Sequence, residues 1–264
     1  MKKPEYYKEI ANYYDRDACH FDERYWANPV LNQMRQSFRE ETKRYQAVNM
    51  LEIGFGTGLD LVHFAKTHPE RQLYGIDLSP EMFRIAKLKI EENKLTNVTI
   101  ANGSTEDIPL YFPKVKFDLI YVYFGALNSV DLESAANDLI KTLNTNGVIV
   151  LTYVNRWYVM GMLIECMRLR FSRAFARLNP VWRGYSSVYY LSSQCYSAAR
   201  VEKAFSPLTF TKKRGYSILL PAWFYTKINQ KIRKIIPLLW KTDNQLNKTP
   251  LWQLGEYGLV VFKN

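Results

Sequence analysis

The segment "LEIGFGTGLD", residues 51–60, decides how the first half of this chain folds. Its apolar start predicts a β-strand, and the alternate glycines from Gly54 to Gly58 predict a tight turn into a helix. Such a turn brings backbone N–H groups and a helix N-terminus close to a ligand. A dinucleotide fingerprint needs glycine or alanine at its sixth position, where this chain has Leu59. Because Glu52 would also repel a pyrophosphate, the turn favours a ligand that carries an ammonium group.

Strands and helices alternate between residues 46 and 155, which predicts a parallel sheet covered by helices on both faces. We predict five strands here, within residues 48–56, 71–79, 97–104, 116–125 and 148–155. Residues 209–220 and 256–264 are predicted to add an antiparallel pair of strands at the sheet edge. The predicted fold class is therefore α/β, with a Rossmann-like, doubly wound, mostly parallel seven-stranded sheet.

The other segments are predicted to be helical additions to this core. Residues 1–45, rich in aromatic and charged residues, predict N-terminal helices. Residues 156–178 predict one long basic helix or a pair of helices. We therefore divide a single domain, residues 1–264, into an N-terminal helical segment at 1–45, a core at 46–155 that carries the glycine turn, and basic cap insertions at 156–190 and 221–252.

Composition predicts a soluble, cytoplasmic protein. The 264 residues are 47% hydrophobic, which suits one large α/β domain. The segment "MKKPEYYKEI" lacks the apolar stretch of a signal peptide. The longest apolar run, residues 157–164, stops at Glu165, well short of the ~20 residues that span a bilayer. The three cysteines, Cys19, Cys166 and Cys195, lack ligand spacing, so no metal site is expected.

Positive charge is concentrated in one part of the chain. The formal net charge is +11, and residues 155–248 carry 17 Lys and Arg against three acidic residues. This asymmetry predicts an acidic partner: an anionic small molecule, a lipid headgroup surface or nucleic acid. Basic residues mixed with Trp and Leu are typical of helices that lie on a membrane. Interleaved basic and aromatic residues leave RNA as a less favoured alternative, and a solvated basic face over ordinary core is the third interpretation.

Four stretches in this order resemble the successive motifs of class I S-adenosylmethionine-dependent methyltransferases: "LEIGFGTGLDL", "LYGIDLSPEM", "NGSTEDIPL" and "FDLIYVYFGALNSV". The chain is most similar to the small-molecule branch of that family, which includes the quinone-type enzymes. The resemblance covers residues 45–155 and says little about residues 156–252. It extends weakly into "ANYYD", which resembles the N-terminal helix that covers the cofactor in that family, so residues 1–45 are implied to form a lid and residues 46–155 the cofactor-binding core.

The resemblance implies S-adenosylmethionine as the cofactor, with its methionine part at the glycine turn. Glu52 and the carbonyls near Tyr123 and Phe124 would accept hydrogen bonds from the ammonium group. The rings of Tyr123 and Phe124 would offer aromatic faces to the sulfonium. The turn residues implied to approach this part are Gly54, Phe55, Gly56, Thr57 and Gly58.

The nucleoside part is implied to lie at the end of the second predicted strand. Asp77, followed there by Leu78, would accept hydrogen bonds from both ribose hydroxyls. Met82, on the helix that follows, would lie beneath the adenine.

The loop "GSTEDIP" departs from the family pattern. Relatives commonly carry an Asp after the glycine, and it reaches the adenine amino group, whereas this chain has Ser104 there. The Thr105 N–H or the Glu106 side chain is expected to take over that contact.

The methyl acceptor leaves a weaker signature in the sequence. Asn128 occupies a place where related enzymes put a polar residue facing the acceptor, Tyr14 lies in the lid, and His20 is the histidine best placed for a general base. The family's adenine-N6 motif (Asn/Asp-Pro-Pro-aromatic) is replaced by "YFGALN", and no Pro-Cys nucleophile is present, so nucleic-acid bases are disfavoured. We expect a small, anionic or amphiphilic acceptor, with two alternatives: an RNA or protein methyltransferase, or a catalytically silent protein of this fold.

Overall fold

The computed structural model describes residues 5–182 and 191–264. Its centre is a seven-stranded sheet with the order β3-β2-β1-β4-β5-β7-β6. The strands are β1 (Asn49–Ile53), β2 (Gln72–Asp77), β3 (Val98–Asn102), β4 (Phe117–Val122), β5 (Leu143–Val154), β6 (Thr209–Tyr216) and β7 (Tyr257–Lys263). Only β7 runs antiparallel to its neighbours, β5 and β6. The predicted fold class is confirmed, including the antiparallel pair at one end of the sheet.

Helices precede the sheet, connect its strands and form the cap. They are α1 (Glu5–Asp17), α2 (Phe21–Ala27), α3 (Pro29–Thr42), α4 (Leu59–Thr67), α5 (Pro80–Glu92), α6 (Ile108–Tyr111), α7 (Leu132–Thr142), α8 (Val159–Met167), α9 (Phe171–Ala174), α10 (Ala198–Ala204), α11 (Thr226–Lys231) and α12 (Ile236–Leu246). Within residues 5–182 and 191–264, none of them combines the length and the hydropathy needed to cross a membrane.

Local sequence explains where these helices begin. Ser79 caps α5 by accepting a hydrogen bond from the Met82 N–H at 3.1 Å, and Pro80 suits the first turn. Asp131 caps α7 in the same way, with the Ser134 N–H at 2.7 Å. Each cap fixes the point at which the chain leaves a strand end, and these strand ends surround the site described below.

Two apolar clusters cover the two faces of the sheet. On one face, α7 and α10 pack against β4 and β5 through residues such as Leu139, Val201 and Phe205. On the other, α3 and α4 bury Phe38 and Phe64 against the same strands. Because both faces are covered, central strands such as β4 and β7 are apolar along most of their length, which makes them recognisable in the sequence, whereas the edge strand β6 is largely polar and half-exposed.

The cap is more broken than a single long helix. Residues 156–178 form α8, α9 and a short 3₁₀ turn, so the helix-pair alternative describes them better. The chain turns at Leu169, whose backbone is left-handed with φ 57°. The second cap segment contains α11 and α12. Residues 183–190 of the predicted first insertion lie outside the described residues.

Candidate functional site

A cavity of about 220 Å³ lies at the carboxyl ends of β1, β2 and β4, where the crossovers to both faces diverge. This is the place where doubly wound sheets bind ligands. Eleven of the predicted site residues line it: Tyr14, Gly54, Gly56, Asp77, Leu78, Met82, Ser104, Thr105, Tyr123, Phe124 and Asn128. In the described structure, the other predicted residues do not: His20, Glu52, Phe55, Thr57, Gly58 and Glu106.

The glycine turn and the end of β2 are joined by the Asp77 carboxylate. Its Oδ2 accepts a hydrogen bond from the Gly56 N–H at 2.7 Å, and its Oδ1 accepts one from the Ser79 N–H at 2.9 Å. Burial raises the pKa of the Asp77 carboxyl to about 6, although these two donors act in the opposite direction. Asp77 is therefore ionised at neutral pH and retains lone pairs for ligand hydroxyls.

Gly56 leaves open the space that a ligand would need at this turn. Its φ is 57°, and a Cβ added there would meet only the Phe21 ring, at 3.5 Å, and the Met82 sulfur, at 4.0 Å. The side of Gly56 without a side chain thus faces the cavity between Phe21 and Met82. A group lying against this backbone would also lie beside Asp77.

Glu52 lies behind the turn and does not reach the cavity surface. Its carboxylate is buried and accepts a hydrogen bond from the Tyr121 hydroxyl at 3.0 Å. Burial, followed by the nearby Asp60 carboxylate, raises the pKa of Glu52 well above its usual value, while Arg35 acts in the opposite direction. The Glu52 carboxyl is therefore held in the core beside Tyr121 rather than on the cavity wall.

An ion-pair cluster that the sequence analysis missed joins α3 to α4. Both Arg35 and Arg39 pair with the buried Asp60 carboxylate, Arg39 through its Nε at 2.6 Å. The Arg35 guanidinium also lies 4.1 Å from the centre of the Tyr25 ring and 4.9 Å from that of Phe124. Asp60 was part of the glycine motif, but nothing in the sequence indicated its partners 21 and 25 residues away.

The lid is attached to the core by two aspartates. Asp15 accepts hydrogen bonds from the Ser79 hydroxyl at 2.5 Å and from the Glu81 N–H at 3.1 Å. Asp22 accepts one from the Thr57 hydroxyl at 2.5 Å. These contacts hold α1 and α2 over the glycine turn, although Thr57 itself does not line the cavity.

Tyr14 and His20 lie in the same lid but in different surroundings. Tyr14 lines the cavity, and burial, with smaller effects from Tyr13 and Asp77, raises the pKa of its phenol, which stays protonated at neutral pH. The His20 side chain is largely exposed, with its Nδ1 3.9 Å from Glu23. This position gives no support to His20 as a general base.

The loop after β3 uses its polar side chains to shape itself. Ser104 donates two hydrogen bonds to the Asp107 carboxylate, from its hydroxyl at 2.9 Å and from its backbone N–H at 2.8 Å. The Thr105 hydroxyl donates to Asp138 at 3.1 Å, and Glu106 is exposed. The Ser104 carbonyl also accepts a hydrogen bond from the Asp107 N–H at 3.0 Å, so both backbone groups of Ser104 are engaged within the loop. An adenine contact from the Thr105 N–H or from Glu106 stays a prediction.

Asn128 is buried, and its amide holds neighbouring backbone. Its Nδ2 donates to the Val154 and Gln194 carbonyls at 3.3 Å and 2.5 Å, and its Oδ1 accepts from the Val154 N–H at 2.9 Å. Both of its N–H donors are therefore in use. This arrangement favours a shaping role for Asn128 at the cavity wall over direct hydrogen bonding to an acceptor.

Aromatic side chains from distant parts of the chain close the rest of the cavity. They are Tyr13, Phe21 and Tyr25 from the lid, Phe124 after β4, Trp182 and Trp223 from the cap, and Tyr257 of β7. Phe21 and Tyr25 are four residues apart on a helix, which is a weak sequence signal. No sequence pattern indicated a shared site for Trp182, Trp223 and Tyr257, because only the fold brings these residues together.

Comparison with known proteins agrees with this geometry. Residues 50–147 match a family described as "Methyltransferase domain". They also contain most of β1, all of β2 to β4, the glycine turn and Asp77. Residues 50–147 form a methyltransferase domain. The predicted resemblance to the S-adenosylmethionine-dependent family is confirmed.

Named relatives of the methyltransferase domain differ in what their names say they act on. A demethylmenaquinone methyltransferase of Geobacillus sp. is 26% identical over 150 residues, which cover 54% of this chain and 59% of the relative. A tRNA (guanine-N(7)-)-methyltransferase of Wolinella succinogenes is 26% identical over 137 residues, covering 48% and 35%. The matches span less than two thirds of either relative.

Solved structures extend the likeness of the fold beyond the methyltransferase domain. DhpI, solved in complex with SAH, has a TM-score of 0.55 and 14% sequence identity, covering 78% of this chain and 90% of its own. At this identity the likeness concerns the fold alone.

Proposed function

We propose that the protein transfers a methyl group from S-adenosylmethionine to a small, amphiphilic acceptor with an apolar or aromatic body. One observation carries the proposal: a single cavity joins Asp77 and the open side of Gly56 to a wall of aromatic side chains. The first part suits the cofactor, and the second suits the acceptor.

The residues at the glycine turn fit the cofactor. Asp77 is ionised at neutral pH and offers acceptor lone pairs to ribose hydroxyls. Gly56 permits close approach of a ligand to the backbone, and buried Met82 supplies an apolar surface for the adenine. When bound, S-adenosylmethionine supplies an electrophilic methyl group on a sulfonium. Glu52 is buried away from the cavity, so its proposed part is to support the glycine turn from the core rather than to contact the cofactor's ammonium group.

The cavity supports an amphiphilic acceptor over an anionic one. Among the described lining residues, the cationic side chain is Arg24, and it is paired with Asp17. The remaining wall of the acceptor half is formed mainly by aromatic rings and by Ile10, Val130 and Leu191. Such a wall binds apolar surface. The resemblance to quinone-type enzymes agrees with this choice, and an acceptor of that kind partitions into lipid, so the proposal includes a peripheral position at a membrane.

Catalysis is proposed to come from alignment. The lid, with Tyr14, covers the cofactor half, and Asn128 fixes the wall beside the acceptor. Holding acceptor and donor in line can supply much of the rate. Tyr14 stays protonated and His20 points to solvent, so the arrangement suits an acceptor atom that needs no strong base, such as a stabilised carbanion.

Isothermal titration with S-adenosylmethionine and its demethylated product tests the first step, and transfer of labelled methyl to quinone, lipid and carboxylate extracts tests the second. Binding without transfer to any extract would favour the catalytically silent alternative. Transfer to tRNA in place of small molecules would favour the alternative suggested by the Wolinella relative. Absence of micromolar binding of both ligands would overturn the proposal.

A further inference from the structure

The turn between α8 and α9 exposes large apolar side chains at its tip. Met167 is 77% exposed, Leu169 is 78% exposed and Phe171 is 57% exposed. Leu163 on α8 and Phe175 after α9 are also exposed. Single exposed apolar residues are ordinary, but a group of five within 13 residues of chain marks an interaction surface. We call residues 163–175 the apolar tip.

The apolar tip is a built turn. The Leu169 N–H donates to the Cys166 carbonyl at 2.9 Å, and the Arg170 N–H donates to the Glu165 carbonyl at 2.9 Å. Leu169 adopts a left-handed φ of 57°, which costs a non-glycine residue free energy. The backbone therefore holds its most exposed leucine outward despite that cost.

Charge on the apolar tip is positive. Arg168, Arg170 and Arg173 alternate with the exposed apolar residues. The acidic residue of this segment, Glu165, is buried and faces two of them, with Arg168 at 3.1 Å and Arg170 at 4.0 Å. Apolar side chains that point outward between basic ones are complementary to a bilayer with anionic headgroups.

The apolar tip is connected to the cavity wall. From α8, Ile164 packs in one cluster with Tyr158, Ala222 and Tyr225. Trp223, between the last two residues, lines the cavity but packs against the larger cluster on one face of the sheet. The apolar tip and the cavity wall are therefore joined through adjacent residues of one cap segment.

We infer that the apolar tip is an anchor that inserts Met167, Leu169 and Phe171 into an anionic lipid bilayer. This inference deepens the proposed function, on which it rests for the amphiphilic acceptor that a bilayer would supply. The basic side chains remain at the headgroups, and Trp223 of the cavity wall lies between two residues, Ala222 and Tyr225, that pack with α8 of the anchor. Methyl transfer is not needed to observe the binding.

Two other occupants fit the apolar tip less well. A symmetric pair of copies would set the arginines of one tip against the same arginines of the other, which repel. RNA binding on a stacking platform uses aromatic faces, whereas the two most exposed side chains here are those of Met167 and Leu169.

Co-sedimentation of the full chain with vesicles tests the inference. We expect binding to phosphatidylcholine vesicles that contain about one-third phosphatidylglycerol, weaker binding to pure phosphatidylcholine, and loss of the electrostatic part in high salt. The double variant Met167→Gln, Leu169→Asn should reduce vesicle affinity at least roughly tenfold, and Asn tolerates the left-handed backbone. The matched control is Leu110→Gln, which changes an exposed apolar residue on α6.

Titration of each variant with the cofactor separates this inference from the proposed function. Unchanged cofactor binding with lost sedimentation supports the anchor. No sedimentation of the unaltered chain, or equal sedimentation of the double variant and the control, would overturn it. The inference would also be overturned if the double variant still sedimented with vesicles but lost another kind of binding. That binding would be either concentration-dependent dimerisation without lipid or retention of RNA on a filter.

Discussion

Gly54 and Gly56 stand two residues apart in one turn, yet they are glycines for different reasons. A Cβ on Gly54 would lie 2.6 Å from the Cβ of Ala126, so the close packing of two loops excludes it. A Cβ on Gly56 would meet no atom closer than 3.5 Å and would enter the ligand space. Gly54 therefore allows two loops to pack closely, and Gly56 allows a ligand to approach the backbone.

This contrast predicts that two matched substitutions affect stability and cofactor binding to different degrees. Gly54→Ala should lower the free energy of unfolding by about 2–4 kcal/mol, because it combines overpacking with a left-handed backbone. Gly56→Ala should cost about 1–2 kcal/mol and should weaken cofactor binding more than Gly54→Ala does. Chemical denaturation and calorimetric titration measure the two effects. If Gly56→Ala binds the cofactor as tightly as the unaltered chain, the backbone there is not part of the site.

Asp77 predicts how cofactor affinity changes with pH. Its carboxyl has a pKa raised to about 6 by burial, so it accepts a proton as the pH falls through that value. The protonated form has lost acceptor capacity for ribose hydroxyls. Affinity should therefore fall roughly tenfold between neutral pH and about pH 5, in proportion to the ionised fraction.

An Asp77→Asn variant provides the control for this pH dependence. In this variant an amide NH₂ replaces one of the two carboxylate oxygens that accept hydrogen bonds from the Gly56 and Ser79 N–H groups. Cofactor binding should therefore be weak, and its affinity should no longer change with pH in this range. Calorimetric titration at several pH values gives both profiles. A pH-independent affinity in the unaltered chain would remove Asp77 from the ribose site.

At the scale of elements, the lid helices α1 and α2 are attached to the core by a few polar contacts. Asp15 accepts two hydrogen bonds from the start of α5. Asp15→Ala should loosen α1, so that limited proteolysis cuts the N-terminal segment faster and cofactor affinity falls several-fold. Glu9→Ala, on an exposed position of the same helix, is the control. Equal proteolysis of the two variants would contradict this role of Asp15.

The pairing of α3 with α4 predicts a larger effect on stability. Arg35 and Asp60 are both buried, so Arg35→Leu would leave Asp60 with Arg39 as its remaining partner. Removing one member of a buried ion pair costs about 3–5 kcal/mol when the other charge is left unpaired. Because Asp60 keeps Arg39, we expect Arg35→Leu to cost about 1–3 kcal/mol. Lys43→Ala breaks an exposed pair with Glu40 and should cost less than about 1 kcal/mol. A similar midpoint of denaturation for both variants would refute the importance of the buried pair.

Over the whole molecule, all seven strands and the cofactor turn could be predicted from the sequence. Strands buried on both faces form apolar runs, and the turn carries alternate glycines. The buried position of Glu52 could not be predicted, since it depends on Tyr121 of a neighbouring strand. The hydrogen bonds that occupy both N–H donors of the Asn128 side chain could not be predicted either, because their acceptors lie 26 and 66 residues away. Local sequence patterns do not indicate such distant partners.

Ligand binding should stabilise the whole domain. A ligand that binds only the folded state adds about 2.7 kcal/mol at a concentration 100 times its Kd, and each kcal/mol raises the Tm of a domain of this size by about 2–4 °C. The demethylated cofactor should therefore raise the Tm by about 5–10 °C. Thermal denaturation of Asp77→Ala under the same conditions should show a much smaller rise. An equal rise in both proteins would place the ligand elsewhere.

The position of β7 between β5 and β6 has a consequence for synthesis of the chain. β6 finds its sheet partner in β7, about 40 residues further along. While a ribosome adds those residues, β6 has no paired neighbour and β5 has an unpaired edge. An unpaired edge can form hydrogen bonds with the wrong strand or with another chain. The far side of the sheet is thus completed after every other strand has been made, and the nascent protein is most exposed to aggregation in that interval.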